Sequence, residues 1–204
     1  MSAARTLAIS TASPALSLAL FEAGRLVAQD HRVIGRGHAE ALVPSIADLL
    51  KGGRADAIVV DVGPGSFTGI RIGIAGARAL GLAWGAPVHG CTAGALVAAR
   101  AFALRPDLAT VTILLDAGRG QVLHQRITRD FTASEVLTLA PDAVPQTSGE
   151  AFAGAGALLL ATPPALLIHA GEPDAADALL LPAAQRALPP AAHYVRPPDA
   201  VLPL

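Results

Sequence analysis

The apolar run Ala57-Ile58-Val59-Val60 leads into Asp61-Val62-Gly63-Pro64-Gly65-Ser66-Phe67-Thr68-Gly69-Ile70-Arg71-Ile72-Gly73, and an Ala-rich segment follows. A β-branched run, a glycine-dense turn and a helical continuation restrict this region to strand, tight loop and helix start. Glycines at such a junction permit positive φ and let backbone N–H groups come close to an anion or to another chain. The turn is not a P-loop, since no lysine follows the glycines and Lys51 is the only lysine in the chain. Nor is it a G-x-S-x-G nucleophile elbow, because Pro64 occupies the place of the first glycine.

The helix that follows is unusual. Gly69, Gly73, Ala77 and Gly81 recur at every fourth position and share one face, while Ala75, Ala79 and Ala83 form a second small-residue stripe. Each glycine inside a helix costs about 1 kcal/mol relative to alanine, so something must approach this backbone closely. Two readings stand at this point: the sheet of the same domain lies there, or a partner chain does.

Length and composition narrow the rest. A chain of 204 residues holds one domain or two small lobes. Its charged fraction of 15% is low, which predicts that part of the surface is covered by another protein. A net charge of −1, scattered arginines and an aromatic content of 3% argue against a dedicated nucleic-acid reader. Cys91 is alone, which rules out an internal disulfide, and a buried inert thiol is the expectation. Met1 to Arg5 passes into a strand without a signal-peptide core. The most apolar stretch, Ala151 to Ala170, is split by Pro163-Pro164 and reads as two short elements, not a membrane span. No membrane association and a cytoplasmic location are expected.

Strands are expected at Thr6–Thr11, Ala15–Phe21 and Arg25–Val33, with turns at Ser13-Pro14 and Ala23-Gly24. A helix is expected over His38–Lys51, with Pro44 inside it kinking or delaying it and Lys51-Gly52-Gly53 ending it. The glycine loop and small-residue helix come next, then a strand Pro87–Cys91 and a helix to Leu104 capped by Thr92. The first half therefore reads β-β-β-α-β-α-β-α. Arg105-Pro106-Asp107 is the expected hinge, which divides the chain into lobes 1–105 and 106–204. The second contains a strand pair, Thr110–Asp116 and Gln121–Arg129, a short helix near Gly154–Leu160, a strand Ala165–Ala170 and a helix Pro173–Leu188. A faint echo links the hairpin turns Ser10-Thr11-Ala12-Ser13 and Asp116-Ala117-Gly118.

These residues carry a resemblance to the TsaB (YeaZ-like, glycoprotease-like) family. It spans Ile9 to Ala12, His38 to Leu42 with Pro44 and Ile46, Gly63 to Gly73, Gly90-Cys91-Thr92, Asp116 to Val122 and Tyr194-Val195-Arg196; the Gly63–Gly73 segment is the specific one. The resemblance implies an α/β, two-lobed actin/Hsp70-like (ASKHA) fold with mixed sheets. It further implies a non-catalytic subunit that dimerises with TsaD, with the ATPase TsaE associated. TsaD transfers a threonylcarbamoyl group to adenosine in tRNAs reading A-starting codons. The first two helices would form the TsaD-facing surface, which isolated subunits use for a homodimer. On that reading His38, Leu42, Ile46, Gly69, Arg71, Gly73, Ile74 and Arg78 are the expected contact residues. Gly73→Leu would then abolish the association.

No chemistry of the chain's own is expected. Catalytic relatives place an acidic residue in the first hairpin to hold Mg²⁺ and phosphate, and this chain has Ser10 there. The metal-binding His-x-x-x-His pair of TsaD-like proteins is replaced by Thr92-Ala93-Gly94-Ala95-Leu96-Val97, and the six histidines lie in separate elements. His38 is expected at the surface or interface, Asp116 as a turn residue, and Glu40 and Arg36 on a solvated or partner-facing edge. Ser66 lacks the neighbouring base a nucleophile needs. Ser10, Gly65, Ser66 and Thr68 are the residues expected to border any nucleotide. Cofactors of its own are none; ATP, Mg²⁺ and metal belong to the partner subunits, and tRNA is met only through the complex. The alternative is a self-sufficient ATPase or phosphotransferase of the same fold.

Overall fold

The computed structural model describes residues 4–195. The first part alternates as expected: β1 (Arg5–Ser10), β2 (Ala15–Glu22), β3 (Arg25–Val33), α1 (His38–Leu50), β4 (Ala57–Asp61), α2 (Phe67–Trp84), β5 (Val88–Cys91) and α3 (Ala93–Leu104). After them come β6 (Thr110–Gly118), β7 (Gln121–Thr128), β8 (Leu137–Leu139), β9 (Ala151–Ala153) and β10 (Leu166–His169).

The strands form two five-stranded sheets, ordered β3-β2-β1-β4-β5 and β10-β9-β6-β7-β8. Numbered within its own half, each sheet has the same strand order. The first strand pairs antiparallel with the second (Arg5↔Glu22; Thr110↔Thr128). On its other side it pairs parallel with the fourth (Thr6↔Ala57; Thr112↔Phe152). This duplicated mixed-sheet arrangement is the two-lobed α/β architecture that the resemblance implies. The faint hairpin echo is its visible trace in sequence.

Between the sheets lies α3. Ala95, Leu96 and Ala99 pack with Ala8, Ala19, Phe21 and Val59 of the first sheet. Ala93, Val97, Ala98, Ala101 and Phe102 pack with Val111, Ile113, Leu115 and Ile127 of the second. A helix buried on both sides cannot show a one-sided apolar stripe, and small side chains let two sheets close on it. Thr92 caps it as expected, its Oγ1 accepting the Ala95 N–H at 3.2 Å.

Three elements differ from the sequence reading. Pro44 does not delay α1, which runs unbroken from His38 to Leu50. The helix expected over Pro173–Leu188 is instead two 3₁₀ segments, Ala175–Leu180 and Ala183–Arg186. Pro182 lies between them and has no N–H to continue a helix. The short element at Ala155–Leu159 is likewise 3₁₀.

The tail also redraws the boundary at residue 105. Ala175, Ala178 and Leu181 are buried against the first sheet, and Leu188 bridges to Gly90 at the β5 edge through two backbone hydrogen bonds, 2.6 and 3.1 Å. The chain from Asp174 to Leu188 thus returns to the first lobe, because the inner face of that sheet is apolar and α3 alone does not cover it.

Candidate functional site

The glycine loop is braced from below. Asp61 ends β4 fully buried, its Oδ1 accepting the Gly63 N–H at 2.8 Å and its Oδ2 accepting the Ser10 hydroxyl at 2.7 Å. Burial is the main cause that pushes its pKa up to about 6, against the lowering effect of those two donors. Ser10 is therefore inside the core. The loop then rests on the β1–β2 turn, with the Ser66 N–H donating to Ala12 O at 2.6 Å. Ser66 caps α2 by accepting the Gly69 N–H at 3.2 Å.

The small-residue stripe of α2 faces its own sheet. A Cβ at Gly69 would stand 2.0 Å from the Thr11 carbonyl oxygen, one at Gly73 would stand 2.5 Å from Thr11 Oγ1, and one at Gly81 would stand 2.4 Å from Val88 Cγ2. Ala77 is fully buried in the same row. Of the two readings left open by the sequence, the intramolecular one describes this face.

The expected contact residues divide accordingly. His38, Leu42, Ile46, Gly69, Gly73 and Ile74 are buried within the chain, whereas Arg71 and Arg78 are exposed. Leu42 and Ile46 belong to the core with Leu7, Leu18 and Ile70. The His38 ring Nε2 lies 3.3 Å from Ala15 O, tying α1 to β2, so the surface histidine expected there is a core one. Apolar residues at helical spacing serve the nearest core first.

What α2 does expose is the other stripe. Thr68, Arg71, Ala75, Arg78, Ala79, Leu82 and Ala83 are all exposed, Leu82 to 88%. Beside them α1 exposes Ala39, Glu40, Val43 and Ala47, with Val43 58% open, while Pro44 and Asp48 line a groove against β3. The helices touch where Leu42 meets Gly76. Together they present a low-relief face of alanines with two apolar knobs and an arginine edge. Arg71 lies over the Phe67 ring at 5.0 Å, Phe67 stacks on Tyr194 at 4.9 Å, and Arg78 Nη2 donates to Pro190 O at 2.8 Å. Sequence spacing had marked Ala75, Ala79 and Ala83 as a stripe without assigning it to a surface.

Next to this face opens a cleft of about 1100 Å³, bordered by Ser13, Arg36, Gly65, Ser66, Thr68 and Asp116 among others. Gly65, Ser66 and Thr68 border the cleft, and Ser10 does not reach it. Asp116 Oδ1 accepts the Gly118 N–H at 2.6 Å, the bond of a turn aspartate. Cys91 is buried, and burial first, then the Asp61 carboxylate, pushes its thiol up. Among the described residues no group of three or more His, Cys, Asp and Glu converges to hold a metal, and no helix is long and apolar enough to cross a membrane. The motif residue Arg196 lies outside the described residues.

Comparison with known proteins agrees with this architecture. Residues 31–165 match the family model described as TsaD, tRNA N6-adenosine threonylcarbamoyltransferase. An uncharacterized protein of Mycobacterium tuberculosis (strain ATCC 25618 / H37Rv) is 35% identical over 160 residues, 74% of this chain and 71% of that one. The tRNA threonylcarbamoyladenosine biosynthesis protein TsaB of Escherichia coli (strain K12) is 36% identical over 132 residues, 62% of this chain and 56% of that one. The solved structure of YeaZ from Pseudomonas aeruginosa superposes with a TM-score of 0.70 at 31% identity, covering 89% of this chain and 90% of that one. On shared sequence, shared fold and the glycine-loop segment, the chain belongs to the TsaB (YeaZ) family.

Proposed function

We propose that the chain works in tRNA threonylcarbamoyladenosine biosynthesis as the non-catalytic subunit that pairs with TsaD. The exposed face of α1 and α2 is the observation that carries this reading. Alanines at 75, 79 and 83 let a facing helix approach closely, and Leu82 and Val43 supply the apolar knobs. An exposed leucine that fills a pocket on a partner is the kind of residue that concentrates binding energy. The low charged fraction of 15% fits a surface built to be covered.

The mechanism is population shift. A subunit that binds one TsaD conformation better than another favours that state by its differential affinity, and takes no part in bond making. TsaD then performs threonylcarbamoyl transfer to adenosine in tRNAs reading A-starting codons. ATP, Mg²⁺ and metal stay with TsaD and TsaE, and tRNA meets this chain through the complex. In the absence of TsaD the same helix face closes on a second copy.

Reconstitution tests this directly. TsaD from the same genome, supplied with threonylcarbamoyl-adenylate and tRNA, is assayed with and without this chain. Modified adenosine that depends on stoichiometric addition of the chain supports the proposal. TsaD activity indifferent to the chain, or turnover by the chain alone, contradicts it.

A further inference from the structure

Away from the α1–α2 face, the tail is fastened to the first lobe by a polar cluster. Ser17 of β2 is fully buried, and its hydroxyl donates to Asp174 Oδ1 at 2.9 Å while accepting the Ala175 N–H at 2.9 Å. The Nδ1 of His31 lies 3.0 Å from the same hydroxyl oxygen and 3.6 Å from Asp174 Oδ1. A serine has one proton to give, and here it goes to Asp174. His31 Nδ1 therefore carries a hydrogen in either charge state, and Nε2 is the nitrogen that titrates.

The other charged groups around this cluster are these. Arg100 of α3 reaches Asp174 Oδ2 at 3.5 Å and Asp177 Oδ2 at 2.9 Å. Glu172 bonds to Ser13 and interacts electrostatically with both His31 and Asp116. On β3, Asp30 and Arg32 pair with each other at 2.8 Å. His31 thus faces a carboxylate already engaged by a serine and an arginine.

This cluster sits where the chain leaves β10 in the second sheet and crosses to the first. The crossing segment buries Ala175, Ala178 and Leu181 against β1, β2 and α3. We infer that residues 172–181 form a strap whose docking onto the first lobe is proton-coupled, held tighter when His31 is an imidazolium beside Asp174 and looser when its ring is neutral. Undocking would uncover the apolar inner face of the first sheet and loosen one tie between the lobes. The Asp174 carboxylate beside the ring raises the His31 pKa, against the lowering effect of burial. The extra stabilisation is complete below the ordinary histidine pKa and is lost as pH rises through the raised one.

Both side chains are partly exposed, 28% and 16%, so the effect is that of a modest ion pair, roughly threefold to fivefold in the opening equilibrium. Backbone amide exchange in the full chain reads it out. Ala175, Ala176 and Asp177 donate to Ser17 Oγ, Asp174 Oδ1 and Asp174 O, so their amides report strap opening. After correction for intrinsic rates, their protection should fall by that factor between about pH 6 and about pH 8. In His31→Gln, whose amide can still donate to Ser17, the step should vanish while the fold persists. An NMR titration should place His31 above the ordinary value, and Asp174→Asn should bring it down. No pH step in the native chain, an equal step in His31→Gln, or a His31 pKa unmoved by Asp174→Asn overturns the inference.

Discussion

Gly69 of α2 and Thr11, just past the end of β1, lie in close contact: the Thr11 hydroxyl donates to the Gly69 carbonyl at 2.8 Å, and a Cβ on Gly69 would stand 2.0 Å from the Thr11 backbone carbonyl oxygen. Neither side of that contact is a flexible side-chain tip, so neither can yield cheaply. The glycine cost that α2 carries is offset by this approach to its own sheet.

Gly69→Ala should therefore act on folding. It should lower stability by about 3 kcal/mol in spite of alanine's better helix propensity, as overpacking against backbone does. Gly73→Leu, a step beyond, should leave little folded protein, because a leucine must displace Thr11 Oγ1 and then meet Val60. Urea denaturation measures the first and soluble yield the second. A stable Gly69→Ala with an unchanged midpoint would mean that the stripe is not packed this way.

Asp61 offers a change of opposite sign. Its folded pKa, about 6 against an ordinary 3.8, means the native state holds a proton more tightly than the unfolded chain does. Stability then falls as pH rises through that window, and stays lowered above it. Asp61→Asn keeps an oxygen for the Gly63 N–H and removes the charge. It should stabilise the chain near neutral pH by up to about 3 kcal/mol, and flatten the pH dependence between roughly 4 and 6. Denaturant midpoints across that range are the measurement.

His124 on β7 acts in the other direction. It is 7% exposed, its Nε2 has no hydrogen-bond partner, and burial is the main cause that lowers its pKa. A base with a lowered folded pKa loses stability as pH falls from the ordinary histidine value toward the folded one. His124→Leu removes both the unsatisfied nitrogen and the charging cost. It should gain about 1 kcal/mol at neutral pH and more below pH 6 or so, read from thermal melts in two buffers. Equal melting of variant and native chain in acid would contradict the assignment.

Much of this was legible in the chain because the signals were local. Thr92 before an Ala-rich run marks a helix start, Ala23-Gly24 a hairpin, and the glycine loop a strand-to-helix junction, whatever lies around them. The duplication of the sheets showed only in the hairpin echo, since β8 and β9 are three residues each and too short to show alternation. The tail was misread because Ala175–Leu188 has helical composition while Pro182 and its seat against the first sheet demand tighter turns. Most of the residues expected at the contact face prove buried for a more general reason. Helical periodicity says that Leu42, Ile46, Gly73 and Ile74 share a buried side; it does not say whose interior they enter. Here it is their own, and the row that stays exposed is the inconspicuous Ala75, Ala79 and Ala83.

The central claim is that this row meets TsaD, and one affinity measurement tests it most directly. The full chain and its Ala79→Glu variant, in which an exposed residue outside the core is changed, are titrated against TsaD from the same genome, with thermal melts of each chain alone as control. Melting should be unchanged and affinity should fall at least tenfold, about 1.4 kcal/mol, with Leu82→Ala falling in the same direction. Full affinity in Ala79→Glu, with the chain folded as before, would contradict it.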